Sequence, residues 1–141
     1  MKLLRPTVHT KFHIDFSWWE KQNKDIRVLM RELLCPECSE SLRDAPDTQM
    51  VDMIDPETAE VTRVYAVWEA IRSCCSLKPD YITPELPLIE SIFRVFLANG
   101  NKPLSILELH ERVDKQPPET ILRLLTKGQI YKGIKPVPES G

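Results

Sequence analysis

The stretch Pro103-Leu104-Ser105-Ile106-Leu107-Glu108-Leu109-His110-Glu111-Arg112-Val113, then Asp114-Lys115-Gln116, then Pro117-Pro118-Glu119-Thr120-Ile121-Leu122-Arg123-Leu124-Leu125, decides the fold of the C-terminal part of the chain. Ser105 and Glu108 stand at the spacing of a capping box. The hydroxyl accepts from the third amide of the coming helix, and the carboxylate accepts from the amide of the cap itself. The helix so started buries Ile106, Leu109 and Val113. Asp114-Lys115-Gln116 turns the chain, and Pro117-Pro118 opens the next helix where a missing N–H costs least. Ile121, Leu122 and Leu125 form its buried stripe, and Gly128 ends it.

Upstream, Leu88, Ile89, Ile92, Phe93, Phe96 and Leu97 share one helical face, and Asn99-Gly100-Asn101 supplies a left-handed stop. Downstream, Ile130, Tyr131, Ile134 and Val137, interrupted by Lys132-Gly133, predict a short strand or a reduced wing. Three short helices, a tight turn between the last two and a β-like tail form an order that resembles the winged helix-turn-helix family over residues 87–137. Such domains bind DNA, RNA or other proteins. In a DNA-binding member the third helix lies in the major groove and the wing touches backbone or minor groove. The resemblance therefore implies nucleic-acid contacts from Thr120, Arg123 and Lys127 on the third helix and from Lys132 and Lys135 on the tail. Arg123 and Thr120 are the two suited to base edges. Glu119 suits the positive end of the helix dipole. A winged helix used for protein docking or dimerisation is the competing expectation.

Charge is divided unevenly around this region. Residues 1–86 hold 11 Lys/Arg against 15 Asp/Glu, and residues 87–141 hold 8 against 6, within an overall formal charge of −2. That balance fits neither a globally basic nucleic-acid coat nor an acidic disordered tail. The apolar runs Val28-Leu29-Met30 and Val95-Phe96-Leu97-Ala98 stop at Arg31 and Asn99. A membrane helix needs about 20 apolar residues. Met1-Lys2-Leu3-Leu4-Arg5-Pro6 becomes charged again before a signal-like apolar core could form. A cytoplasmic protein with no membrane partner is expected. No glycine-rich phosphate loop, H-E-x-x-H or nucleophile–base pairing is present, and glycines total only 4. Catalysis is not expected.

In the front half, Phe12, Ile14 and Phe16 alternate with His13 and Asp15 and predict a half-buried strand, followed by Trp18 and Trp19 as core anchors. Ile26, Leu29, Met30, Leu33 and Leu34 predict a helix that Pro36 stops. Residues 39–49 read as a loop. Met50–Ile54 and Val61–Tyr65 predict a hairpin around the turn-rich Asp55-Pro56-Glu57-Thr58-Ala59-Glu60. A further helix carries Val64, Val67, Trp68, Ile71 and Cys75 on one side and ends near Ser76. Pro79, Pro84 and Pro87 mark residues 78–87 as a stiff linker.

The 4 cysteines are Cys35 and Cys38 in C-P-E-C, and the adjacent Cys74 and Cys75. C-x-x-C presents two thiolates on one turn, which is half of a tetrahedral site. Cys74-Cys75 is the other cysteine source. Both pairs are placed at helix C-termini, where a bound cation relieves the repulsion between thiolates and the dipole. Adjacent cysteines reach one ion only if the helix has unravelled there; otherwise His13 or His9 is available as the fourth ligand. Structural Zn2+ is the first expectation and an iron–sulfur cluster the alternative. Reduced or disulfide-forming thiols, with Cys74 or Cys75 simply a buried small hydrophobe, are the third.

The sequence as a whole predicts an α+β protein. Its parts are an N-terminal helix/hairpin module over residues 1–80, with a metal site at Cys35, Cys38, Cys74 and Cys75, and a winged helix-turn-helix over 87–141. The function expected is a DNA-binding transcriptional regulator with a metal or iron–sulfur site. The rival is a non-catalytic accessory subunit of a larger complex that docks on protein through the winged helix and the tryptophans. A homodimer falls within either expectation.

Overall fold

A computed structural model describes residues 5–138 and shows an α+β fold, with short helices and two small antiparallel sheets. The chain divides into two compact units: residues 24–81 form one, and residues up to Asn23 together with those from Ile82 onward form the other.

The discontinuous unit contains β1 (Lys11–Ile14), α1 (Phe16–Lys21), α5 (Leu88–Ala98), β4 (Leu104–Ser105), α6 (Ile106–Arg112), α7 (Pro118–Thr126) and β5 (Ile134–Pro136). Its sheet has the order β4-β1-β5. Phe12 lies opposite Leu104 on one side and Pro136 on the other, while Ile14 lies opposite Ile134. The strand expected from the alternation of Phe12, Ile14 and Phe16 is present over Lys11–Ile14, with Phe16 instead opening α1, but it does not belong with residues 24–81 as a 1–80 module requires. Alternation predicts a strand's buried face, and says nothing of which segment will pair with its edges. Phe12 and Ile14 go into a core with Ile92, Phe93, Phe96, Ile106, Leu109, Ile121 and Ile134, each at most 1% exposed.

The capping box forms as the sequence predicts: Ser105 Oγ accepts from the Glu108 amide at 3.2 Å, and Glu108 Oε1 accepts from the Ser105 amide at 2.9 Å. Trp19 is buried, tilted against Phe93 at 6.0 Å, and donates through Nε1 to Lys132 O at 2.9 Å. Trp18 stacks edge-on against it at 5.5 Å. Two further tethers bind distant segments. Asn101, in left-handed backbone, accepts from Ile14 N at 2.8 Å and donates to Ile14 O at 2.9 Å, acting as a short extra strand. Lys115 Nζ donates to the carbonyls of Thr83, Pro84 and Leu86 at 2.6, 3.0 and 2.8 Å. The proline-rich segment is thus clasped along its second half.

The 24–81 unit contains α2 (Ile26–Glu32), α3 (Pro36–Ser41), β2 (Met50–Ile54), β3 (Val61–Tyr65), α4 (Ala66–Ser73) and a 3-10 turn at Cys75–Leu77. The hairpin has the expected strands, pairing Met50 with Tyr65 and Ile54 with Val61. Its inner face buries Met53 and Val64 against α4, whose Val67, Trp68 and Ile71 complete the core with Ile26 and Met30 of α2. The start of the stretch expected as a loop after Ser39 is helical, because Pro36 opens α3 as its first residue. Arg31 donates to Asp47 Oδ1 at 2.7 Å and to the carbonyls of Leu42 and Ala45 at 3.0 Å each, fixing the loop after α3. No helix of the described residues is long and apolar enough to cross a membrane.

Candidate metal centre

The geometry begins at Leu33, which caps α2 and lets the backbone turn out before Cys35. Cys35 is extended (φ −68°, ψ 162°), and Pro36 fixes the first turn of α3. Cys35 is therefore the N-cap of α3 rather than the end of a helix, which reverses the local dipole expected from the sequence. Two residues further along, Cys38 sits on the buried side of that turn. The opposite wall comes from the end of α4. Helical geometry stops at Ser73, Cys74 adopts φ −130°, ψ −64°, and Cys75 starts the 3-10 turn. This is the unravelling that lets neighbouring cysteines point at one place.

The sulfurs converge. Those of Cys35, Cys38 and Cys74 all lie within 4.8 Å of one another. Cys35 Sγ is 3.9 Å from Cys74 Sγ and 3.2 Å from Cys75 Sγ, and Cys75 Sγ also accepts from the Cys35 amide at 3.1 Å. None of the four cysteines forms a disulfide. Cys38 and Cys75 are buried, while Cys35 and Cys74 keep some exposure.

The group is electrostatically asymmetric. A hydrogen bond from the Cys38 amide, aided by the neighbouring thiols, draws the Cys35 thiol down to about 7. Burial pushes the thiols of Cys38 and Cys75 up. At the rim, Lys78 donates to Glu37 at 2.6 Å; that carboxylate, and then the charge of Cys74 and Cys35, favour its ammonium form.

The donor set fits a metal ion. Zn–S bonds of about 2.3 Å in a tetrahedron place sulfurs about 3.8 Å apart. The measured 3.9 Å between Cys35 and Cys74 matches that edge, and the mutual closeness of the trio agrees with it. Thus three cysteines lie together as a group able to bind a metal ion, with Cys75 beside them. His9 and His13 belong to the other unit.

The residues expected to touch nucleic acid fall into two groups. Arg123 and Lys127 are exposed and Thr120 is half-buried, all on α7 or at its end. Lys132 and Lys135 have partners inside their own unit. Lys132 pairs with Glu90 at 2.8 Å and lies over the Phe93 ring at 5.7 Å, and Lys135 pairs with Asp15 at 3.1 Å. Asn101, Lys115 and Arg31 carry no local signal for the contacts they make, because each partner is set by the tertiary fold. No family model, curated protein or solved structure matches the chain.

Proposed function

We propose that the chain is a non-catalytic DNA-binding regulator whose 24–81 unit is held by one Zn2+ on Cys35, Cys38, Cys74 and Cys75. The observation that carries the metal reading is the convergence of Cys35, Cys38 and Cys74 within 4.8 Å of one another, from the segments before and after the hairpin in sequence, with Cys35 3.9 Å from Cys74. Spacing that close favours a single ion over an iron–sulfur cluster, whose thiolates are distributed over separate irons. Thiols that stay reduced suit a cytoplasmic setting. Anaerobically purified protein should contain one zinc per chain by elemental analysis, with no absorption near 400 nm. A brown chain with iron and sulfide overturns zinc.

The DNA reading rests on α6, the turn at 113–117 and α7 as a winged helix-turn-helix in which Arg123, Lys127 and Thr120 face outward. β4 between α5 and α6, and β5 after α7, are where such a fold has strands. Duplex affinity should fall steeply with salt, as phosphate contacts require. Arg123→Ala should weaken binding by about 1–3 kcal/mol if it reads a base. The second reading, protein docking, is favoured by the pairing of Lys132 with Glu90 and Lys135 with Asp15, which leaves the tail little charge for phosphates. Retention on a protein partner without any duplex shift would decide for it.

A further inference from the structure

We propose that Cys35 and Cys75 form a peroxide-sensitive dithiol pair whose oxidation to a disulfide dismantles the metal site; this regulation rests on the metal reading. Cys75 Sγ is the sulfur nearest to Cys35 among the measured pairs, at 3.2 Å against 3.9 Å for Cys74. It is also the one cysteine outside the mutually close trio of Cys35, Cys38 and Cys74. The Cys35 amide donates to Cys75 Sγ at 3.1 Å, so the backbone itself holds that sulfur against its neighbour. Cys35 keeps some exposure while Cys75 is buried, an arrangement of one accessible sulfur and one sheltered partner. Cys35 and Cys38 are fixed across the first turn of α3, and Cys74 and Cys75 are adjacent in sequence. The pair across the two walls is the one whose bond would tie segments that are otherwise separate.

The oxidant is a hydroperoxide, ROOH. The sulfur of Cys35 attacks the terminal peroxide oxygen, the O–O bond breaks, and ROH leaves with a proton, giving a sulfenic acid. The sulfur of Cys75 then attacks the Cys35 sulfur, the S–O bond breaks, and the hydroxide takes a proton from solvent and departs as water. In sum, two zinc-held thiolates, one hydroperoxide and two protons from solvent give one disulfide, one alcohol and one water, and the zinc loses two ligands. Two electrons pass from sulfur to oxygen. Cys38 and Cys74 are left as a two-donor remnant, short of the four ligands of a structural zinc site.

The experiment treats the zinc-loaded full chain with hydrogen peroxide, reads zinc release with a chromophoric chelator, and maps the cross-link by peptide mass spectrometry. The expected result is zinc release in step with a mass loss of two hydrogens and a Cys35–Cys75 cross-linked peptide, both reversed by dithiothreitol and zinc. Cys75→Ser should give no intramolecular Cys35 disulfide on peroxide treatment and leave a dimedone-reactive Cys35. The wild-type peptide map does not depend on how that variant folds. A zinc-bound chain that closes Cys35–Cys38 or any other pair, or releases zinc with no disulfide, overturns the switch alone. A chain that takes up no zinc yet closes Cys35–Cys75 overturns the metal reading and keeps the thiol pair.

Discussion

Asp15 joins a strand to a helix and a second strand at once. Its Oδ1 accepts from the Ser17 amide at 3.0 Å and the Ser17 hydroxyl at 2.7 Å, while Oδ2 accepts from Lys135 at 3.1 Å. These contacts, the Ser17 hydroxyl foremost, hold its carboxyl down at about 2. A carboxylate with a depressed pKa stabilises the fold above its unfolded value of about 4, and that contribution fades as pH falls from there through the folded value. Asp15→Ala should cost about 1 kcal/mol as a lost helix cap, and Asp15→Asn should flatten the acid limb of stability between about pH 4 and 2. Denaturant unfolding at stepped pH reads both. Gly133 stands beside it with φ +77°, where a Cβ would lie 3.0 Å from Asp15 O and from Trp19 Nε1. The left-handed backbone alone makes Gly133→Ala cost about 1–3 kcal/mol; the crowded ring should add a blue-shifted or broadened tryptophan emission.

Elements in this chain are legible to different depths. Around α6 the residues that define the helix also stabilise it: Ser105 and Glu108 are neighbours in sequence and partners in space, so the capping box could be read directly. Ser105→Ala should lose about 1 kcal/mol, measurable by thermal or urea unfolding, whereas Ser105→Thr should retain most of it. The hairpin was equally legible, since β2, its turn and β3 are contiguous. β1 was legible only as a strand. Its partners lie beyond residue 100, and nothing in Phe12-His13-Ile14 encodes Leu104 or Ile134. The cysteines divide the same way. C-P-E-C announced two donors, but Cys74 joins them where α4 stops at Ser73, an ending the apolar periodicity through Cys75 did not signal.

At the scale of the whole molecule, the two units differ in what holds them. The discontinuous unit has a core of large, fully buried side chains, among them Phe12, Phe93 and Phe96. The 24–81 unit relies on fewer, chiefly Met30 and Ile71, and small units with thin cores commonly need a staple. Chelation should therefore act on one unit. Removal of the proposed zinc is expected to accelerate hydrogen exchange in amides of α2, α3 and α4 while those of α5 and α6 stay protected. Uniform acceleration in both units would show that the cysteines do not serve the 24–81 unit in particular.

The central strand of the β4-β1-β5 sheet also sets an order of events during synthesis. β1 leaves the ribosome well before either of its partners, which both lie beyond residue 100. Residues 24–81 are contiguous and can fold as soon as they emerge, in the manner of domains made vectorially. Phe12 and Ile14 must meanwhile wait with their apolar faces uncovered. The strand is synthesised well before the residues that cover it, so exposure of its apolar face is the hazard of that interval.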